Sequence, residues 1–263
     1  MFDHPDPATA AALARLYDLD LLDAPADLDL YRALAERTGG PILELAVGSG
    51  RLAVPLAAGG DRVTGVDIDA AMLDRARSNA AAAGIEVVER LTLVEADVVG
   101  LRLPDAGRFG LAFIALNSLL VIGSRAAQRA TVQTLSDHLA VGGVAVVDVW
   151  LPDVEDLRRY DGRVILEWPR LDPETGEVVT KSGSAWYDAV AGTVAMTSIF
   201  DASMQGGATR RWVRHDLLRL VSPDELQVFA EDAGLVVEML AGGHDLGALG
   251  PESDRVILIA VKP

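Results

Sequence analysis

The chain has 263 residues, half of them hydrophobic, a formal charge of −16 and no cysteine. These values describe a globular chain with a sizeable core and exclude disulfides, thiolate chemistry and cysteine-based metal sites. The longest basic cluster, Arg210-Arg211-Trp212-Val213-Arg214, falls in an expected strand and reads as a solvated face, so no surface that tracks nucleic-acid phosphates is expected.

In chain order, the first residues, Met1-Phe2-Asp3-His4-Pro5-Asp6, carry acid and proline where a secretory leader carries basic charge and an apolar run, so the cytoplasm is the expected location. No apolar run is long enough to span a bilayer. Residues 8–38 read as helical, broken by Asp23-Ala24-Pro25-Ala26-Asp27. Short apolar runs and helical ones then alternate. Strands are expected at Pro41–Ala46, Arg62–Val66, Leu91–Val94, Phe109–Leu116 and Val144–Trp150. Helices are expected at Leu52–Ala58, Ala70–Ala83 and Ala126–Leu139. Such alternation implies a parallel sheet covered by helices on both faces.

From about Arg163 to Leu220 the pattern changes. Val164–Trp168, Val178–Tyr187, Thr193–Ser203 and Arg210–Leu220 read as antiparallel strands separated by turn-forming residues. Ser222-Pro223-Asp224-Glu225 then starts a helix, which Gly234 ends. Leu235–Leu240 and Arg255–Val261 are the last expected strands. The organisation expected is one domain: an N-terminal helical cap (1–40), a cofactor-binding core (41–159), an antiparallel β lid (160–220) and the end of the core sheet (221–263).

The chemistry concentrates in Glu44-Leu45-Ala46-Val47-Gly48-Ser49-Gly50-Arg51-Leu52-Ala53. A strand runs into a Gly-x-Gly turn that opens a helix, an arrangement that lets backbone approach a ligand closely. Gly48-x-Gly50-x-x-Ala53 also satisfies the dinucleotide fingerprint, so an NAD(P)-binding oxidoreductase is an alternative at this point. The chain has only two lysines, Lys181 and Lys262, and neither follows a tyrosine at the Tyr-x-x-x-Lys spacing such enzymes use. Asp67 ends the second strand 17 residues after Gly50, where a carboxylate can accept both hydroxyls of a ribose. Asp97 follows the third strand, within reach of an adenine amino group.

Taken together, these residues resemble the motifs of class I S-adenosylmethionine-dependent methyltransferases. The matching runs are acid-x-x-x-Gly-x-Gly, Gly65-Val66-Asp67-Ile68-Asp69-Ala70-Ala71-Met72-Leu73, and Asp97-Val98 after the third strand. The resemblance implies an α/β, Rossmann-like seven-stranded sheet whose last strand is antiparallel, with the antiparallel insertion as a lid. It implies S-adenosyl-L-methionine as cofactor. Glu44, Ala46, Gly48 and Gly50 would shape the turn around the methionine moiety, with Glu44 meeting its ammonium. Asp67 would hold the ribose, with Ile68 and Met72 against the adenine. Asp97 and Val98 would read the adenine edge, and Asn117 lies where the transferred methyl is expected. Ala46 and Val47 stand where the commoner motif has glycine or cysteine. Tyr17-Asp18, Tyr31 and the antiparallel insertion are loosely similar to the glycine and amino-sugar N-methyltransferase group.

The expected reaction moves a methyl group from S-adenosylmethionine to an N, O or C nucleophile of a small molecule, with a secondary metabolite as the favoured acceptor. A non-catalytic S-adenosylmethionine binder is a further alternative. The acceptor-side candidates are Tyr17 and, as the one histidine of the insertion, His215, whose side-chain type titrates near neutrality. Trp186, Tyr187 and Trp212 are expected to wall the acceptor, with Asp148 and Trp150 at the end of the fifth strand. No histidine pair has a metal-ligand spacing, so no metal is expected, and no nucleic-acid or membrane partner. Self-association as a homodimer is left open.

Overall fold

The computed structural model describes residues 6–23, 27–104, 106–204 and 207–263. Its helices are α1 (Pro7–Asp20), α2 (Leu28–Thr38), α3 (Ala53–Ala58), α4 (Ala70–Ala83), α5 (Ile85–Arg90), α6 (Ser118–Val121), α7 (Arg125–His138), α8 (Val154–Arg159) and α9 (Pro223–Asp232). Its strands are β1 (Ile42–Leu45), β2 (Val63–Asp67), β3 (Leu91–Glu95), β4 (Phe109–Ile114), β5 (Leu139–Trp150), β6 (Asp161–Leu171), β7 (Val178–Asp188), β8 (Thr193–Ser203), β9 (Arg210–Arg219), β10 (Val236–Ala241) and β11 (Arg255–Val261). They form two compact units: Pro25–Pro152 with Val221–Pro263, and Met1–Ala24 with Asp153–Leu220.

The larger unit holds a seven-stranded sheet in the order β10-β11-β5-β4-β1-β2-β3. Strands β1 to β5 run parallel, and β11 lies antiparallel between β5 and β10, as expected. Strands β1 and β4 are buried along their whole length, which is why they read as unbroken apolar runs and not as alternating ones. Helix α2 covers one face of the sheet, where the fully buried Tyr31 ring lies 4.4 Å from that of Phe113. Local signals set the helix ends. Asp69 caps α4 by accepting from Ala71 and Met72, and Ser222 caps α9 ahead of Pro223.

The smaller unit is a four-stranded antiparallel meander, β6-β7-β8-β9. Helix α1 buries Leu16 and Leu19 against Val179, Phe200 and Ala202 on one face. Polar contacts fix the end of that helix: Trp168 Nε1 donates to Asp20 at 2.9 Å, and Lys181 Nζ reaches Asp20 at 2.6 Å and Glu167 at 2.8 Å. Arg170 donates to the Leu19 carbonyl at 2.6 Å, satisfying an acceptor that a helix end leaves unpaired.

The expected 1–40 cap is thus divided, α1 packing with the antiparallel strands and α2 with the seven-stranded sheet. Three short helices, α5, α6 and α8, were not foreseen. Strand β5 begins at Leu139, five residues earlier than expected. Its pairing with β4 shifts register between Phe109 and Leu111, which carries Gly142, at φ 80°, inside the strand. No helix among the described residues is long and apolar enough to cross a membrane.

Candidate functional site

The carboxyl edge of the parallel sheet gathers the unusual backbone of the larger unit. Outside glycine, positive φ occurs among the described residues at Ala46 (55°) after β1, Leu116 (48°) and Asn117 (68°) after β4, and Leu246 (59°) between β10 and β11. Such conformations cost energy and collect where a binding site imposes them. Open α/β sheets bind ligands at this edge.

The Gly48–Gly50 turn leaves β1 with φ 56° at Gly48 and 81° at Gly50. A Cβ on Gly50 would stand 2.9 Å from Val54 and 3.4 Å from Ala76, so glycine serves both the turn and the close approach of α4. Asn79 of α4 donates to the Ser49 carbonyl at 3.0 Å and ties the turn to that helix. Val47 fits because the facing strand residue is Gly65, where a Cβ would lie 2.7 Å from Val47.

Asp67 ends β2 and accepts from Gly48 N at 2.8 Å through one oxygen and from Asp69 N at 2.9 Å through the other. A carboxylate has about four lone-pair sites, so two hydroxyls can still be accepted. Burial raises its pKa, partly offset by those N–H donors. Beside it Ile68 is 69% exposed, an apolar side chain at a strand end, and Met72 is half-buried. Asp97 is exposed and accepts from Val99 N at 2.8 Å, while Val98 is buried.

Under the turn, Glu44 is buried and its Oε2 has no hydrogen-bond partner among the described residues. Burial pushes its carboxyl up to about 8, against the opposing pull of Arg51. A buried acid with one unmatched oxygen below a glycine turn suits a cationic group such as the ammonium of a methionine moiety. With Asp67 at the strand end and Ile68 open beside it, the residues present fit S-adenosylmethionine.

Sequence reasoning placed Asp148 at this edge but missed the buried polar group to which it belongs. Arg51 makes two parallel bonds to the fully buried Asp27, at 2.7 and 2.6 Å. Asp148, also fully buried, accepts from Arg255 Nη1 at 2.5 Å and contacts His244 Nε2 at 3.0 Å. The ligand atoms of Asp27, Asp148 and His244 lie within 4.8 Å of one another, but Arg51 and Arg255 already occupy these carboxylates. The group is therefore a salt-bridged network and not a metal cage. Asn117 borders it, accepting from Trp150 N at 2.6 Å and donating its own N–H to the Asp148 carbonyl at 3.2 Å. The sequence did hold one signal: Asp148 interrupts an apolar run, and such acids are buried only when paired.

In the smaller unit the expected acceptor-side residues separate. Tyr17 lies on α1, with the Arg214 guanidinium 6.0 Å from its ring centre. Arg214 precedes His215 on one strand, so His215 stands on the opposite face, exposed, at 3.0 Å from Thr197 Oγ1. Tyr17 and His215 are not brought together. The expected aromatic wall divides in the same way: Trp212 packs on the α1 side, whereas Trp186 is exposed on the other face. Among the remaining histidines, His138 is fully buried, its Nδ1 donating to the Thr134 carbonyl and its Nε2 accepting from Leu103 N. Both lysines are engaged, Lys181 with Asp20 and Glu167 and Lys262 with the Ser136 and Leu139 carbonyls, away from any oxidoreductase pairing.

Residues 42–143 match a family model described as a methyltransferase domain. The match identifies a methyltransferase domain in this stretch, which holds β1 to β4 and the glycine turn. Several solved structures share the fold. One is an S-adenosylmethionine-dependent methyltransferase from Clostridium acetobutylicum, 16% identical, covering 95% of this chain and 97% of that one at a TM-score of 0.78. Another is an amino pentose methyltransferase from Micromonospora echinaspora, 20% identical, with coverage of 100% and 99% and a TM-score of 0.67. A third is a sugar N-methyltransferase from Streptoalloteichus, 22% identical, with coverage of 94% and 92% and a TM-score of 0.72. No curated protein matches the sequence. Gly48-x-Gly50-x-x-Ala53 lies inside the stretch that matches the methyltransferase domain.

Proposed function

We propose that this methyltransferase transfers the methyl group of S-adenosylmethionine to a nitrogen of a small molecule, an amino sugar or a comparable secondary metabolite. The donor half rests on one observation above the others: Asp67 is fixed by Gly48 N and Asp69 N so that its remaining lone pairs suit a ribose. When bound, the donor supplies an already activated methyl, so the protein's work is alignment and exclusion of water. Glu44 anchors the ammonium from below, Ile68 and Met72 line the adenine, and Asp97 with Val98 reads its edge. The acceptor half is supported by the structural likeness to a sugar N-methyltransferase and an amino pentose methyltransferase over nearly the whole chain.

The test is a coupled one. Calorimetry with S-adenosylmethionine and with NAD(P) measures the donor, and release of S-adenosylhomocysteine with a panel of aminodeoxy sugars, free and nucleotide-linked, measures transfer. Binding of NAD(P) in preference would sink the donor assignment. Binding of the donor with no turnover on any amine, hydroxyl or activated-carbon acceptor would favour a non-catalytic binder.

A further inference from the structure

The geometry points to His244 as the proton acceptor for the methyl-accepting amine, held in its working tautomer by the buried Asp148; this rests on the N-methyl transfer proposed above. The loop after β10 folds back through the Ala241–Ala248 bridge and the Gly242 N to Gly247 O bond, and carries His244 to the end of β5. There Asp148 is fully buried and needs donors on both oxygens. Arg255 Nη1 supplies one to Oδ1 at 2.5 Å, and His244 Nε2 faces Oδ2 at 3.0 Å.

That second contact decides the tautomer. A bare Nε2 would set its lone pair against those of Oδ2, whereas Nε2–H makes a charge-assisted bond. Arg255 Nη1 has a second N–H and stands 3.2 Å from Nε2, but the shorter contact of Nε2 is with the Oδ2 anion at 3.0 Å, and a proton on Nε2 is what satisfies it. With Nε2 protonated, Nδ1 carries the ring's lone pair. The His244 side chain keeps 12% of its surface exposed, while Asp148 behind it has none. The charged and titratable groups of this network are Asp148 on β5, Arg255 on β11, Asp27 before α2 with its partner Arg51, and the buried Tyr31 hydroxyl, whose pKa is raised first by burial and then by Asp148 and Asp27.

A small aliphatic amine arrives at neutral pH as an ammonium and has no lone pair for attack. Nδ1 of His244 takes one proton from it, and the imidazolium so formed is paired with Asp148. The freed lone pair forms the N–CH3 bond as the C–S bond breaks and its electron pair goes to sulfur. The products are S-adenosylhomocysteine and a protonated methylamine, and His244 returns its proton to solvent.

Two measurements on the full chain test this. In 15N-labelled protein, with His244 assigned by its loss in His244→Gln, the ring should be the Nε2–H tautomer at high pH; the Nδ1–H tautomer overturns the inference whatever the acceptor. In turnover with the best aminodeoxy sugar of the panel, His244→Gln should lower kcat/KM about 100-fold at pH 7. The deficit should shrink as pH rises toward the amine's own pKa, because the substrate then arrives neutral, and a merely structural role would give no such recovery. Donor affinity measured by calorimetry should stay within about twofold. A pH-independent deficit, or near-normal turnover at pH 7, overturns the proposal. Loss of donor binding in the unmodified protein would instead count against the methyltransferase reading itself.

Discussion

The Asp67 carboxylate accepts a hydrogen bond from the backbone N–H of Gly48 at 2.8 Å, joining the end of β2 to the turn that leaves β1. One side chain thereby shapes the glycine turn and, in the function proposed above, accepts the ribose. Asp67→Ala should weaken S-adenosylmethionine binding by about 2 kcal/mol, the scale of lost charge-assisted hydrogen bonds. Calorimetry giving an unchanged affinity would remove Asp67 from the donor site.

Glu44 gives a pH signature with a definite sign. Burial lifts its carboxyl from 4.5 to about 8. Below pH 4.5 the folded and unfolded chains both hold the proton. Between about 4.5 and 8 the unfolded chain has released it and the folded one has not, so this group's contribution makes stability fall as pH rises through that window. Glu44→Gln should flatten the dependence, as read by urea unfolding from pH 5 to 8. If the donor's ammonium meets Glu44, binding near pH 7 should ionise it and release a fraction of a proton. Calorimetry in phosphate and in Tris should then give different apparent enthalpies, with the difference reduced in the variant. Equal enthalpies for the unmodified protein would place the ammonium elsewhere.

The Val47–Gly65 contact makes a packing prediction. A methyl on Gly65 of β2 would stand 2.7 Å from Cγ2 of the buried Val47 in the turn after β1. Gly65→Ala should cost about 1–3 kcal/mol by overpacking. Adding Val47→Ala should recover part of that loss, because the volume is returned. Equal urea midpoints for the single and double variants would show that the two positions do not couple.

The sequence disclosed those parts of the molecule that rest on short-range pattern. The βα alternation, the glycine turn, the helix start at Ser222 and the antiparallel meander from Val178 to Arg219 all depend on neighbours a few residues apart, and each was legible. The polar network was not. Asp27 bonds Arg51 across 24 residues, and Asp148 meets His244 across 96 and Arg255 across 107. Asp27 belongs to a stretch whose composition marks only a helix break. His244 was considered only for metal spacing, since nothing nearby in the chain shows that β11 and the loop before it return to the end of β5. His215 and Tyr17 stand apart for a simpler reason: strand alternation separates His215 from Arg214, the residue that faces Tyr17.

The buried Asp27–Arg51 pair yields the last prediction. Asp27 is fully enclosed and its two oxygens are both taken by Arg51, while Glu44 and Asp148 add further acidic groups nearby. Arg51→Met would leave Asp27 charged and unmatched in the interior, which costs about 3–5 kcal/mol. It would also remove the cation that opposes the upward shift of Glu44, so the fall in stability should extend to higher pH. Replacing both partners removes the charge together with its counter-ion, and a buried ion pair exchanged for apolar groups of similar volume is often neutral. Asp27→Leu with Arg51→Met should therefore be more stable than Arg51→Met alone, by about 2 kcal/mol or more. Urea unfolding at pH 7 measures both variants. A double variant no more stable than the single one would mean that Arg51 supports the glycine turn through its packing and not by neutralising Asp27.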